Sequence, residues 1–248
     1  MTRIRIEFHT SARELPWPEV LAPGRAVSYA LLERGAPALG ARLHRSGHGP
    51  YGMVPFGYGA PVFPAARRRR GVYVAEGPGV VELGSPLIEV VEGWAAALNA
   101  LPVLAWGATA FIVDRVSVVE EPVFPSGRAV FRTVTPVVTK VVLPREERGD
   151  LGGTPWRLPG EPEWDVQIQG NLRRKAQSLG LDPEVTLERV NWVGPKRSFA
   201  VTGMSGKGGK KPGACVEVVV TGAPQTLAAI RDFGLGQANS TGMGWIGA

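Results

Sequence analysis

The sequence predicts an α+β fold made of two successive units with the same element order, β-α-β-β-α-β. Three observations carry that expectation. Polar and apolar residues alternate at the start, as in a half-buried strand; the most regular helical spacing comes late in the first half; and a second set of strands and helices then follows in the same order.

Thr2 to Phe8 reads Thr-Arg-Ile-Arg-Ile-Glu-Phe, a period of two, and is the first strand. A connection containing Pro16, Pro18 and Pro23 leads to helix from about Ala26, broken near Gly35 and resumed after Pro37, with Leu39 and Leu43 on one face and His44 near its end. Residues 47–66 are rich in Gly and Pro and are expected as loop, with at most a short extended piece at Met53 to Phe56. Val72 to Ala75 and Val80 to Leu83 are expected as strands joined by a hairpin across Glu76 to Gly79. Ser85-Pro86 is an N-cap with proline at the first helical position, followed by Leu87, Val90, Val91, Trp94, Leu98 and Leu101 at helical spacing. The β-branched run Phe111 to Val119 closes the half as a long strand.

The second half is expected to begin with a strand over Ala129 to Val142, bent at Pro136, and to continue through an irregular Pro/Gly segment over 144–165. A helix from about Asn171 to Leu179, strands at Val185 to Val193 and Ser198 to Thr202, a basic glycine loop from Gly206 to Gly213 and a strand from Cys215 to Val220 come next. Pro224 opens a last helix ending near Phe233, and Met243 to Ile246 is a short final strand. The order is that of two tandem ferredoxin-like halves, residues 1–124 and 125–248, whose repeat is one of pattern without visible sequence identity.

Composition narrows the function. No run approaches the roughly 18 to 20 apolar residues of a membrane span, and the start MTRIRIEFHT lacks a signal peptide's apolar stretch, so a cytoplasmic protein without membrane association is expected. A single cysteine, Cys215, excludes an internal disulfide, and only His9, His44 and His48 accompany it, so neither a metal site nor another cofactor is expected. Residues 1–124 carry 12 Lys/Arg against 11 Asp/Glu, whereas residues 125–248 carry 16 against 11, so the net charge of +6 resides mostly in the second half. Between 171 and 211 stand Arg173, Arg174, Lys175, Arg189, Lys196, Arg197, Lys207, Lys210 and Lys211 against three acids, the local excess a polyanion partner favours. A solvated surface on an alkaline protein accounts for the charge equally well.

Residues 233–245 read Phe-Gly-Leu-Gly-Gln-Ala-Asn-Ser-Thr-Gly-Met-Gly-Trp, with glycines 234 and 236 separated by five residues from glycines 242 and 244. This is not the dinucleotide pattern, because Ala238 and Asn239 occupy the third-glycine region and the helix precedes the loop. Gly203 to Lys211 fails as a phosphate loop, since no Gly-Lys-Ser/Thr stands at the required spacing, and reads as a basic loop or a solvated hairpin tip. Arg67 to Arg70 form a four-arginine run with the same two readings.

The spacing G-x-G-x(5)-G-x-G after the last helix of a doubled ferredoxin-like chain resembles the glycine-rich loop of the RAMP superfamily. Within it, the chain resembles the CRISPR repeat-processing endoribonucleases that cut precursor transcripts into guide RNAs. A helix ending in Leu43-His44, the strand from Phe131 to Val138 and Asn171-Leu172-Arg173-Arg174-Lys175 opening a helix agree with it. The resemblance implies CRISPR repeat RNA as partner, with other CRISPR effector subunits and a second copy of the chain as further candidates. It places His44 at the family's catalytic histidine and Tyr29 at a tyrosine some members use as a second proton-transfer group. Gly234, Gly236, Gly242 and Gly244 and the basic residues Arg173, Arg174, Lys175, Lys196, Arg197, Lys207, Lys210 and Lys211 fall to RNA binding. The lysine some members carry after the histidine is missing, since residues 45–51 read Arg-Ser-Gly-His-Gly-Pro-Tyr, and Arg45 or His48 is the candidate for phosphate charge.

The chemistry is consistent with these residues. RNA carries its own nucleophile in the 2′-hydroxyl, so cleavage needs a base, an acid for the leaving 5′-oxygen and a cation for the phosphorane, and no metal. Histidine, with an unperturbed pKa of about 6.5, serves either proton role near neutrality. Two alternatives stay open: a RAMP subunit that binds guide or repeat RNA without cutting it, and a small-molecule phosphate enzyme, which the spread of basic residues disfavours.

Overall fold

The computed structural model describes residues 2–67, 69–141, 156–201 and 209–247. The first half contains β1 (Arg3–His9), β2 (Glu14–Leu15), α1 (Pro23–Gly35), α2 (Pro37–Ser46), β3 (Gly57–Tyr58), β4 (Tyr73–Val74), β5 (Gly79–Gly84), α3 (Ile88–Ala100), β6 (Val103–Trp106) and β7 (Thr109–Val118). Its sheet has the order β3-β5-β1-β7-β6 with every pairing antiparallel. Without the added edge strand β6, this is the ferredoxin-like arrangement, in which the first strand lies between the third and the fourth. The alternation read in β1 is real: Ile4, Ile6 and Phe8 are buried beneath the helices, and Phe8 stacks on Phe111 at 4.0 Å. α1 and α2 are separated at Ala36 because Pro37 lacks an N–H and pushes the residue before it out of helical geometry.

The second half contains β8 (Arg128–Arg132), β9 (Thr139–Lys140), β10 (Trp156–Arg157), α4 (Trp164–Ser178), β11 (Thr186–Val193), β12 (Arg197–Val201), β13 (Gly209–Gly213), β14 (Val216–Thr221) and α5 (Pro224–Phe233). Its sheet has the order β11-β14-β8, and a bridge from Ile246 to Thr133 puts the final segment beside β8. The chain is therefore two tandem ferredoxin-like halves. Phe131, Val216, Val218 and Val220 of the sheet pack with Ile168 and Leu172 of α4 and Leu227 and Ile230 of α5 into a second core.

Several expectations are corrected. Residues 72–75 form no hairpin with 80–83: β4 pairs with β2, and β3, inside the stretch expected as loop, is the second strand of the unit. Two residues are too few to show a period, and Gly57 and Gly59 mask the strand because their missing side chains are what Trp245 packs on. Ser85 is not the cap of α3. Its hydroxyl accepts from the Leu87 N–H at 3.0 Å and donates to the Pro55 carbonyl at 2.6 Å, and the helix begins at Ile88. β6 was not anticipated; it forms a hairpin with β7 through Gly107, whose φ is +63°. The regular ladder of the strand expected over 129–142 stops at Arg132, and only β9 resumes strand geometry before 142. α4 begins at Trp164 rather than Asn171, since Trp164, Ile168 and Leu172 already lie on one buried face. Part of the expected basic glycine loop, residues 209–213, is strand β13 paired with β12; residues 206–208 and 142–155 lie outside the described residues.

The two halves meet at Arg3. Its guanidinium, fully buried, donates to Asp232 Oδ1 at 3.1 Å, the Ile246 carbonyl at 2.9 Å and the Arg231 carbonyl at 2.7 Å, and lies 3.9 Å over the Trp245 ring. Burial lowers its pKa to about 10 despite Asp232, so it stays charged at neutral pH.

Candidate active site

His44 lies in the last turn of α2, exposed, beside Leu43, which anchors the helix in the first core. Its ring meets the Tyr29 ring edge-on at 5.1 Å between centroids, and Tyr29 in turn packs on Phe56 at 5.4 Å. The two candidate catalytic residues, fifteen apart in sequence, are thus neighbours across the α1–α2 turn. Tyr29 Oη is buried and has no hydrogen-bond partner among the described residues. Burial raises the Tyr29 pKa, with Arg25 acting the other way, so the phenol stays protonated at neutral pH and can donate a hydrogen bond.

After His44 the chain turns through Gly47, Gly49 and Gly52, all at positive φ, and His48 and Met53 exchange backbone hydrogen bonds of 2.7 and 3.0 Å. The Tyr51 hydroxyl bonds Gln177 Oε1 at 2.7 Å, and a side chain at Gly49 would strike Ser178. The loop beside the histidine is therefore seated on the C-terminal end of α4. Burial lowers the His48 pKa, with Arg42 adding to this and Glu89 opposing it. Arg45 is exposed and makes no ion pair among the described residues.

The glycine-rich segment is packed inside the protein. Gly234, Gly236, Gly242 and Gly244 are buried, and all four have φ between +65° and +92°. A Cβ on Gly244 would lie 1.9 Å from the Leu235 carbonyl oxygen, and one on Gly242 would meet the Tyr58 ring at 2.7 Å. Lys175, expected on an RNA surface, is likewise buried. Its ammonium donates to the Gly234 carbonyl and to Asn239 Oδ1, while Asn239 Nδ2 donates to the Leu235 and Met243 carbonyls, each at 2.9 Å. Lys175 is thus a strut under the glycine segment, and burial lowers its pKa well below the ordinary value. Trp245, at the end of the segment, lies over Gly57, Gly59 and Gly84 of the first sheet.

The basic residues divide by position. Arg173, Lys196 and Arg197 are exposed, and Arg174 is partly so. Arg197 lines a cleft of about 670 Å³ together with Arg67, Arg69, Trp17, Tyr73 and Val134, so arginines from both halves face one space. Lys211 is half-buried, whereas Arg68, Lys207 and the side chain of Lys210 lie outside the described residues. Arg25 was missed by sequence reasoning. Its guanidinium stands 5.1 Å over the Tyr29 ring and donates to Ser240 Oγ at 2.6 Å. One signal existed, the four-residue spacing from Arg25 to Tyr29 on a helix; the contact with Ser240, 215 residues away, had none. Among the described residues no group of three His, Cys, Asp or Glu could hold a metal ion, and no helix is long and apolar enough to cross a membrane.

Comparison with known proteins decides the family. The model of the C-terminal part of CRISPR associated protein Cas6 matches residues 119–247, just over half of the chain. The chain belongs to the Cas6 family. Solved structures agree in fold over nearly its whole length. One described as a CRISPR associated protein Cas6 is 19% identical, covers 99% of this chain and 98% of its own, and has a TM-score of 0.73. A RAMP protein binding different RNA substrates is 13% identical over 99% and 98%, with a TM-score of 0.78. The product of a Cas6-related gene from Pyrococcus furiosus is 13% identical over 99% and 97%, at 0.75. A search of curated protein sequences finds no match. At these identities the structural likeness speaks for the ferredoxin-like pair; the Cas6 membership rests on the matched C-terminal residues.

Proposed function

We propose that this Cas6 protein is a metal-independent endoribonuclease that cleaves CRISPR precursor RNA within the repeat. Residues 1–124 supply the chemistry, and residues 125–248 supply the glycine segment and most of the basic surface. The observation that carries the reading is the contact of exposed His44 with Tyr29, two proton-bearing side chains 5.1 Å apart on a surface that leaves the imidazole open to a ligand. His44 serves as general acid/base for the 2′-hydroxyl and the leaving 5′-oxygen. Tyr29, held protonated, donates a hydrogen bond to developing negative charge. The products are a 2′,3′-cyclic phosphate, or the 3′-phosphate formed from it, and a 5′-hydroxyl.

Single-turnover cleavage of repeat RNA in EDTA tests the proposal. Cleavage persists in the chelator, His44→Ala slows it by about 10² to 10⁴ with repeat affinity nearly unchanged, and a 2′-deoxy nucleotide before the cut blocks it. Activity abolished by EDTA and restored by magnesium, or a deoxy substrate that is cut, refutes the mechanism. The rival reading, a RAMP subunit that grips repeat RNA without cutting it, is favoured by one observation: Tyr29 Oη is buried rather than presented. Absence of cleavage of any repeat RNA that the protein binds tightly decides for it.

A further inference from the structure

Arg25 stands beside Tyr29, and the glycine segment ties it to β9, which carries Lys140. Gln237 donates its backbone N–H to the Val138 carbonyl at 2.9 Å and its side-chain Nε2 to the Lys140 carbonyl at 3.2 Å, which fixes β9 against the segment. Three residues later Ser240 takes the Arg25 guanidinium from α1 at 2.6 Å. Lys211 of β13 lies within electrostatic reach of both: its pKa is lowered by burial first and by Arg25 and Lys140 next. None of the three forms an ion pair among the described residues. Like charges held together without a carboxylate repel one another and are relieved by an anion that sits among them. Arg25 is also next to the chemistry, since Arg25 and His44 each stand 5.1 Å from the Tyr29 ring.

We propose that Arg25, in the positive field to which Lys140 and Lys211 add, is the seat of the phosphate that is cut, with the Arg25 guanidinium on its non-bridging oxygens. The proposal rests on the nuclease reading of His44 and Tyr29 and names the cation that reading lacks. In the step, the 2′-oxygen forms a bond to phosphorus as its proton leaves to the base, and the bond from phosphorus to the 5′-oxygen breaks as that oxygen takes a proton. Arg25 transfers nothing; its paired N–H donors hold the charge that grows on the equatorial oxygens, a geometry a planar guanidinium matches better than an ammonium. Neither sequence candidate has this position. Arg45 has no described tie to Tyr29, and His48 has Arg42 and Glu89 as its charged neighbours.

The test is single-turnover cleavage at saturating enzyme, with RNA from the source genome's CRISPR repeats, alongside filter-binding affinity and thermal midpoints. Arg25→Ala slows cleavage by about 10² to 10³, as loss of one oxyanion donor does, and Arg25→Lys restores part of it. Ser240→Ala, which frees Arg25 without deleting it, slows cleavage by a smaller factor and serves if Arg25→Ala fails to fold. Sulfur at a non-bridging oxygen of the scissile phosphate slows the wild type more than Arg25→Ala. Wild-type cleavage by both Arg25→Ala and Ser240→Ala, or an equal sulfur effect in wild type and Arg25→Ala, overturns the proposal while leaving His44 and Tyr29 intact. If the wild type cuts nothing, the nuclease reading fails by itself, and binding of 2′-deoxy repeat RNA decides the seat. The triple variant Arg25→Ala, Lys140→Ala, Lys211→Ala then reduces the slope of log affinity against log salt by about 2, at roughly 0.7 per phosphate on a single strand, and an unchanged slope overturns the seat.

Discussion

Replacing Lys175 by methionine keeps the length of the side chain and removes only its polar end, so it isolates the strut beneath the glycine segment. In the native protein the Lys175 ammonium is the donor to both the Gly234 carbonyl and Asn239 Oδ1, in a place closed to water. The variant strands these two acceptors, at about 1 to 3 kcal/mol each, and recovers part of the cost of desolvating the amine, so a net loss of about 2 to 4 kcal/mol is expected. A pH signature accompanies it. Burial lowers the folded-state pKa of Lys175 well below the ordinary 10.5, so between the two values the unfolded chain holds a proton that the folded protein does not. Stability from this group therefore rises with pH through that window, by up to about 1.4 kcal/mol per pH unit, and falls as pH drops toward the folded value. Urea unfolding of wild type and Lys175→Met at a series of pH values from 6 to 10 measures both effects. A variant as stable as wild type at every pH, with the same pH slope, refutes the assignment of Lys175 as the strut.

Two further outcomes are expected. Gly244→Ala places a Cβ 1.9 Å from the Leu235 carbonyl oxygen at a φ of +65°, and is expected to cost more than about 3 kcal/mol in thermal unfolding; a midpoint within a degree or two of wild type would show that the segment has room to shift. Replacing Lys207, Lys210 and Lys211 together by alanine is expected to weaken binding of repeat RNA and to flatten its salt dependence, read as the slope of log affinity against log salt, and an unchanged slope shows that these lysines do not meet the RNA backbone.

What the sequence made legible follows the strength of local signals. β1 and α5 were readable because Ile4, Ile6 and Phe8 alternate and Pro224 marks a helix start, and both are buried as their patterns require. β3 was not, because two residues, one of them Gly57, carry no period and the reason for the glycines, the Trp245 ring, comes from the other end of the chain. The beginning of α4 was passed over because a polar-rich window hides Trp164 and Ile168 unless their four-residue spacing to Leu172 is followed back. At the site, the turn at Pro37 that brings His44 to Tyr29 was available in sequence. Lys175 was misjudged because the three basic residues were read as one run, although 175 falls three after Leu172 and seven after Ile168, on the buried face of α4, and Arg173 falls on the exposed one. The Gly234 carbonyl and Asn239 that draw it inward are 59 and 64 residues distant.

Arg3 has a consequence for the order of assembly. It belongs to the central strand of the first sheet, yet its partners at 231, 232 and 246 lie 228, 229 and 243 residues further on, while Glu82 is its one acidic partner nearer in sequence. During synthesis the first half acquires all its strands long before these partners exist, and its guanidinium waits in water on an otherwise finished sheet. Docking of the halves is then the step that desolvates the charge, and it happens last. Damage to the glycine segment is therefore felt in both halves at once, because Val138 and Met243 belong to the first core and Trp245 covers Gly57, Gly59 and Gly84 of its sheet.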